Sequence, residues 1–421
     1  MKNNKVTRII LIGTITILLL TSILYIVIFS YSTVTAQPRA VDTYATNESV
    51  ENLSDLINNF SFRMYNQLIS DNTENIFFSP YSIFVALAMT YEGARNETAD
   101  EMHSVLEFPQ NDTITLCSFG RIYNLLNINK DYTLNTANAI WIKKGYPFLE
   151  EYLKFIENYY MGKTTEIDFN NPEEAAKIIN QWIEKNTGGK IKDLITKKDI
   201  HQYLTMILTN AIYFKGDWLN KFDKDLTTNK DFELSDGTTI SVPMMTLYET
   251  KLKFNYTETN DLQILELPYK GSKLSMIIVL PKENNISIAE KKLSRKNLYK
   301  WINSMNETNI EILLPKFKLE TEYSLKNYLA NLGMVSPFTL NADFSGMTGK
   351  KDLFIEKIKH KAFLEVNEEG TEAAAATSVH MALTALPEYT VFNADHPFIF
   401  LILHKETGNI LFMGRLSNPI G

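Results

Sequence analysis

The chain has 421 residues, 45% of them hydrophobic and 12% aromatic, which excludes a disordered polypeptide and allows a large buried core. Formal net charge is −7 with both signs interspersed, and basic clusters such as Lys350-Lys351 are too short to follow a phosphate backbone, so nucleic acid is excluded as a partner. The single cysteine, Cys117, leaves no internal disulfide, and no Cys or His pair has metal-ligand spacing; neither a metal nor another cofactor is implied.

Residues 1–36 read as a signal peptide or an N-terminal membrane anchor. Lys2, Lys5 and Arg8 precede an uncharged run rich in Ile and Leu. At ~1.5 Å per residue, 9–31 spans roughly 34 Å, enough to cross a hydrocarbon core of ~30 Å. That run has no polar face, so it does not read as a core helix. The positive flank stays cytoplasmic and everything after Gln37 lies outside. Val34-Thr35-Ala36 offers a cleavage site of small residues, yet the apolar stretch is longer than that of an ordinary signal. Secretion and anchorage to the outer face of the cell membrane both stand, and either makes the main domain extracellular. Residues 37–49 read as a short exposed linker. Residues 50–421 hold no linker, repeat or low-complexity tract and read as one domain. Sequons at Asn47, Asn52, Asn59, Asn96, Asn111, Asn255, Asn285 and Asn306 are compatible with a glycoprotein.

Within the domain, Leu53, Leu56, Ile57, Phe60, Met64, Leu68 and Ile69 recur at helical spacing and predict a helix over 50–70. Similar spacing predicts helices over 82–92, 147–160, 172–186 and 324–332, the last with Gly333 placed as a C-cap. Branched and aromatic runs predict strands over 204–214, 262–267, 274–280, 310–317, 391–403 and 410–416. The last two read as a hairpin joined by the polar segment His404-Lys405-Glu406-Thr407-Gly408-Asn409. Helices first and antiparallel strands later give an α+β fold with large mixed sheets.

Residues 368–387 break the local rules. The four alanines Ala373, Ala374, Ala375 and Ala376 favour helix, yet the stretch has no wide apolar stripe and lies between two strand-like runs. Long connections in compact domains are usually functional.

At this loop the chain resembles the serpin family, and the resemblance extends over nearly all of 50–421. Matching segments arrive in the family's order: Asn75-Ile76-Phe77-Phe78-Ser79-Pro80-Tyr81-Ser82-Ile83, Thr136-Ala137-Asn138-Ala139-Ile140-Trp141, Asn210-Ala211-Ile212-Tyr213-Phe214-Lys215-Gly216-Asp217-Trp218, Val242-Pro243-Met244-Met245, Leu314-Pro315-Lys316-Phe317, Ala342-Asp343-Phe344-Ser345-Gly346-Met347, His396-Pro397-Phe398 and Phe412-Met413-Gly414. The resemblance implies a serpin fold of three β-sheets and about nine helices, an exposed reactive-centre loop and a metastable native state. It also implies a function: a serine protease cuts the loop, is held as an acyl-enzyme, and is carried off as the loop inserts into the main sheet.

The loop's composition suits insertion. With Thr371 facing the core, Ala373, Ala375, Thr377, Val379 and Met381 follow it inward, while Glu372, Ser378 and His380 face out. Glu368, Gly370, Thr371, Glu372 and the four alanines form the expected hinge, with Gly370 giving freedom to turn. Counting seventeen residues from Glu368, the length usual in inhibitory serpins, puts the scissile bond between Thr384 and Ala385, with Met381, Leu383 and Leu386 as neighbouring bait. A small β-branched Thr384 suits elastase-like or subtilisin-like proteases with shallow apolar pockets, and no Arg or Lys invites a trypsin-like one. Leu383 leaves room for papain-like cysteine proteases. A non-inhibitory serpin acting as chaperone or binding protein is the other alternative. The resemblance assigns Ser79, Ser82, Asn210 and His360 to the family's shutter and Trp218 to its breach. There is no G-x-S-x-G elbow, so the serine and histidine do not suggest a hydrolase. The segment 100–129 has Arg121 as its only basic residue besides His103, and no heparin-type polyanion is expected. A monomer is expected, bound to membrane only if 9–31 is retained.

Overall fold

The structure, a computed structural model, describes residues 38–110, 112–248, 252–371 and 390–420. The expected membrane segment 9–31 and the sequon at Asn111 fall outside these. Among the described residues no helix is long and apolar enough to cross a membrane. Contacts divide the chain after Arg39, and the unit from Ala40 carries every element below.

Helices dominate the first part: α1 (Asn47–Ser70), α2 (Pro80–Tyr91), α3 (Asn96–Leu106), α4 (Thr113–Asn127), α5 (Glu150–Phe155) and α6 (Pro172–Asn186), with α7 (Ile286–Lys292), α8 (Arg295–Ser304), α9 (Lys326–Asn331) and α10 (Ser345–Thr348) later. A seven-stranded sheet runs β1 (Ile76–Phe78), β17 (Ile410–Leu416), β16 (Phe398–His404), β9 (Leu274–Pro281), β8 (Leu262–Pro268), β7 (Phe254–Glu258) and β10 (Asn306–Thr308). A four-stranded sheet runs β15 (Thr390–Asn393), β11 (Ile310–Pro315), β6 (Thr239–Leu247) and β5 (Thr228–Glu233). The main sheet has six strands: β12 (Phe317–Ser324), β13 (Ile355–Asn367), β14 (Gly370–Thr371), β4 (Met206–Asp217), β2 (Tyr132–Lys143) and β3 (Lys163–Ile167).

Two apolar layers result. Every residue of α2 is buried, as its sequence Ile83-Phe84-Val85-Ala86-Leu87-Ala88-Met89 without a polar face requires. Around it Phe77 stacks on Phe412 at 5.3 Å and on Phe400 at 6.0 Å, joining β1, β16 and β17. The second layer, on the other face of the main sheet, packs Ala175, Ala176, Ile179 and Ile183 of α6 against Ala137, Trp141, Ile207, Ala211 and Tyr213.

Three expectations need correction. The segment read as an exposed linker, 37–49, belongs to the body from Ala40 onward. Ala40 is buried, its amide donates to Asn124 Oδ1 at 3.0 Å, and α1 starts at Asn47 because Thr46 and Ser49 cap it reciprocally. Asn124 is 84 residues away, so no local pattern announces the contact. The strand expected over 310–317 is two, β11 in the four-stranded sheet and β12 in the main sheet. The strand expected over 391–403 likewise divides into β15 and β16. In both cases the chain changes sheet at a polar interruption of the run, Lys316 in one and Asn393, Asp395 and His396 in the other, and hydropathy carries no sign of which sheet a strand joins.

Gly414 of β17 shows how tightly the inner layer is packed: a Cβ there would lie 2.4 Å from the Phe400 ring and 2.7 Å from Ile76 O. Gly414→Ala is expected to cost about 1–3 kcal/mol by overpacking, read as a lowered urea midpoint at unchanged m-value.

Candidate functional site

In the middle of the main sheet β4 and β13 run parallel as direct neighbours, from Ile355 opposite Met206 to Phe363 opposite Tyr213. Above that point they part, and β14 enters antiparallel to both. Thr371 lies opposite Val366 and Gly216, and Gly370 opposite Asn367 and Asp217. Gly370 sits at φ +151°, and a Cβ there would fall 2.2 Å from Gly216 O, so only glycine fits this turn into the gap.

The mouth of the gap is lined from both sides. Thr371 is fully buried, with its hydroxyl 2.9 Å from that of Tyr269. Tyr269 stacks on Trp218, ring centres 4.6 Å apart and 16° from parallel. Trp218 Nε1 donates to Asn367 O at 3.0 Å, and its amide to Glu369 O at 2.9 Å. Glu368 and Glu369 are nearly buried. Lys316 lies 2.9 Å from Glu368 and the Thr227 hydroxyl donates to it at 2.9 Å, while Lys221 at 2.6 Å and Lys224 at 2.9 Å flank Glu369. Burial pushes the Glu368 pKa up, but its own backbone amide, Lys316 and Thr227 outweigh this, and the net shift is downward.

Lower down, under the closed part of the seam, five polar side chains meet in an otherwise apolar interior. Asn138 of β2, Asn210 of β4 and His360 of β13 lie abreast on three adjacent strands. Ser79 caps α2, where its Oγ accepts from Ser82 N at 3.2 Å and donates to Leu411 O at 2.6 Å. His360 Nε2 accepts from Ser79 N at 3.1 Å, so the ring proton sits on Nδ1 and is donated to Asn210 Oδ1. Asn210 Nδ2 donates in turn to Ser82 Oγ at 2.6 Å and to Asn138 Oδ1. Burial holds His360 neutral, with its pKa down at about 3.

A family model described as Serpin (serine protease inhibitor) matches residues 55–419. The chain is 44% identical over 371 residues to an uncharacterised serpin-like protein of Thermococcus kodakarensis, covering 86% of this chain and 85% of that one. It is 42% identical over 382 residues to a leukocyte elastase inhibitor of Xenopus laevis, covering 88% of this chain and all of the other. The chain belongs to the serpin family. The crystal structure of Serpin48 from the insect Tenebrio molitor superposes with a TM-score of 0.78 at 34% identity, over 87% of this chain and 98% of that one. The three sheets described above are those of the serpin fold.

In this serpin Ser79, Ser82, Asn210 and His360 come together as one hydrogen-bonded cluster, and Glu368, Gly370, Thr371 and Trp218 come together at the mouth. Glu372, Ala373, Ala374, Ala375, Ala376, Met381, Leu383, Thr384, Ala385 and Leu386 lie outside the described residues. Asn138, Tyr269, Glu369 and the lysines at 221, 224 and 316 belong to the same two clusters but were not singled out from sequence. For Asn138 a signal existed, an amide inside an apolar strand run; for Tyr269 none did. The serine and histidine have no hydrolytic geometry, because His360 takes the amide proton of Ser79 and not its hydroxyl proton, and both residues are 0% exposed. Among the described residues no group of three or more His, Cys, Asp or Glu is placed to hold a metal ion.

Two predictions follow from the buried cluster. Asn210→Ala strands the His360 ring N–H and removes the donor shared by Ser82 Oγ and Asn138 Oδ1, which stay bonded to each other at 3.1 Å, and is expected to cost about 2–3 kcal/mol in native-state unfolding. The second concerns pH. An unfolded His360 binds its proton near 6.5 and the folded one near 3, so its contribution is complete above pH 6.5 and falls by about 1.4 kcal/mol per unit as pH drops from 6.5 towards 3. His404, lowered by burial to about 4, adds to the same slope. In urea melts between pH 7 and pH 5, His360→Gln should lose the equivalent of one proton from the dependence; an unaltered slope would exclude His360 as a source.

Proposed function

We propose that this serpin inhibits serine endopeptidases of the elastase-like or subtilisin-like type by suicide-substrate trapping, and is not itself an enzyme. The Thr384–Ala385 bond is the bait. Attack on the Thr384 carbonyl gives an acyl-enzyme with release of the Ala385 amine, and residues 372–384 then enter the main sheet with the protease attached.

The observation that carries this reading is β14, two residues already paired on both sides between β4 and β13. Continuing its register gives the insertion path. Each step on from Thr371 is one step back along both neighbours, so six residues on, Thr377 falls opposite Asn210 and His360 together. A hydroxyl that faces inward there can take over hydrogen bonds that now join those two side chains across the seam. Small residues precede it, and relatives at about 40% identity include leukocyte elastase inhibitors.

The same reading puts the domain outside the cell, delivered by the segment 9–31 as signal or anchor, working as a monomer. Asn47, Asn52, Asn96, Asn285 and Asn306 are exposed sequon asparagines on which glycans would fit. Leu383, one residue before the bond, makes papain-like cysteine proteases a second target class.

Mixing the domain with subtilisin or pancreatic elastase should yield a boiling-resistant band at the summed mass, and trypsin should not yield it. Cleavage without such a band would leave a non-inhibitory serpin. Cutting in the loop should raise the thermal midpoint sharply, and Thr377→Val should reduce the stability of the cut form by about 1–3 kcal/mol while altering the uncut form little.

A further inference from the structure

The main sheet carries a cover on the face opposite α2, and the cover is fastened differently on the two sides of the seam. It consists of α6 and the connection 187–205 that leads into β4. On the β4 side the fastening is apolar: Ile191, Leu194, Ile195, Ile200 and Leu204 are buried against Ala137, Trp141, Ile207, Ala211 and Tyr213. Of β13 only Phe363 joins that layer among the described residues.

Below Phe363 the cover is held to β13 by polar contacts. Asp199 accepts from Lys357 Nζ at 3.0 Å through Oδ1, with Lys359 Nζ at 3.9 Å from the same oxygen. Lys361 Nζ donates to Lys192 O at 3.0 Å, and His201 Nε2 lies 2.5 Å from Glu356 Oε1. Asp199 is held rigidly, since its Oδ2 accepts from Thr196 N at 2.9 Å and from Thr196 Oγ1 at 2.8 Å, closing the turn Lys197–Asp199. Burial raises its pKa, but the Thr196 amide and hydroxyl and the two lysines outweigh this, and the acid stays ionised. Lys357, Lys359 and Lys361 occupy alternate positions on the outer face of the strand that must leave β4 if a new strand is to enter. Glu356, beside them, is where the β4–β13 register slips.

We propose that Asp199 is a clasp on the seam: its pairing with Lys357 and Lys359 ties the cover to β13 and limits the rate at which the sheet opens to a new strand. The proposal rests on the insertion reading above. In the register of β14, Ser378 and His380 come beside Lys359 and Lys357, so the clasp lies across the last part of the path. The apolar fastening to β4 need not break, because β4 and the cover can move together while β13 slides away.

A synthetic acetylated peptide with the sequence of residues 371–384 serves as the probe, and its annealing into the full-length protein is followed by native gel. Asp199→Asn should anneal it about three- to fivefold faster, the factor expected for one partly exposed ion pair. Lys357→Met, which spares the Thr196 turn, should do the same. Lys282→Met, which removes the Lys282–Glu258 pair at 3.0 Å in another sheet, should not. Annealing rates that match wild type in both clasp variants, while wild type still captures protease, overturn the clasp and leave the inhibitor reading intact. Faster annealing in the clasp variants of a protein that captures no protease upholds the clasp and overturns that reading. No annealing by any form overturns the clasp, and the inhibitor reading falls with it where wild type also captures no protease.

Discussion

β4 and β13 run parallel, so a strand that turns back between them is antiparallel to both and finds a complete ladder on each side. One set of slanted parallel bonds would be exchanged for two antiparallel sets, which are at least as strong per residue. Gly370 and Thr371 are already paired with both strands in this way. Everything else at the site sits around this seam. The mouth is braced by Trp218, Tyr269 and two buried glutamates, the middle is bonded through Asn210 and His360, and the outer face is crossed by α6 and its connection.

The polar cluster at the middle of the seam suits the opening joint proposed above. A seam closed by leucines would be held by close packing, and parting it would leave a cavity whose cost grows with its volume. Asn210 and His360 instead hold the strands through hydrogen bonds, and a new partner with a hydroxyl can satisfy the same groups. Such a cluster contributes little net stability while paired and penalises any state in which it is half paired. That asymmetry favours two positions of the seam, shut or filled, over anything between.

Local chemistry made parts of this fold legible in the sequence. Helix α6 runs Pro172–Asn186 as its spacing predicts, because Asn171 caps it and Pro172 suits the first turn. The hairpin of β16 and β17 followed from a polar turn with Gly408 at φ +70°. The unusual stretch after Glu368 stood out because its propensity conflicted with its neighbours. What stayed hidden depends on distant contacts: Ala40 on Asn124, Tyr269 on Thr371, the change of sheet at Lys316, and the lysines of β13 on Asp199. Alternating lysines on a strand look the same whether they face water or a neighbouring loop. The co-location of Ser79, Ser82, Asn210 and His360 was reached only through the family resemblance, since these residues span most of the chain and no periodicity links them.

The two glutamates before Gly370 pin the near end of the loop to three lysines of the body, and this turns the sheet into a ruler. Strand β4 has 12 residues, about 40 Å at ~3.3 Å each. Continued along the register fixed at Thr371, the loop reaches the foot of β4 when Met381 lies opposite Met206. Thr384 then stands three residues beyond, just clear of the sheet. On that path a deletion of three or four residues from the alanine run would stop any cargo on Thr384 before it passed the last strand pair, and an insertion of the same size would leave slack at the base. On the proposed insertion path, loop length would then be matched to strand length by geometry, independently of which side chains the loop carries.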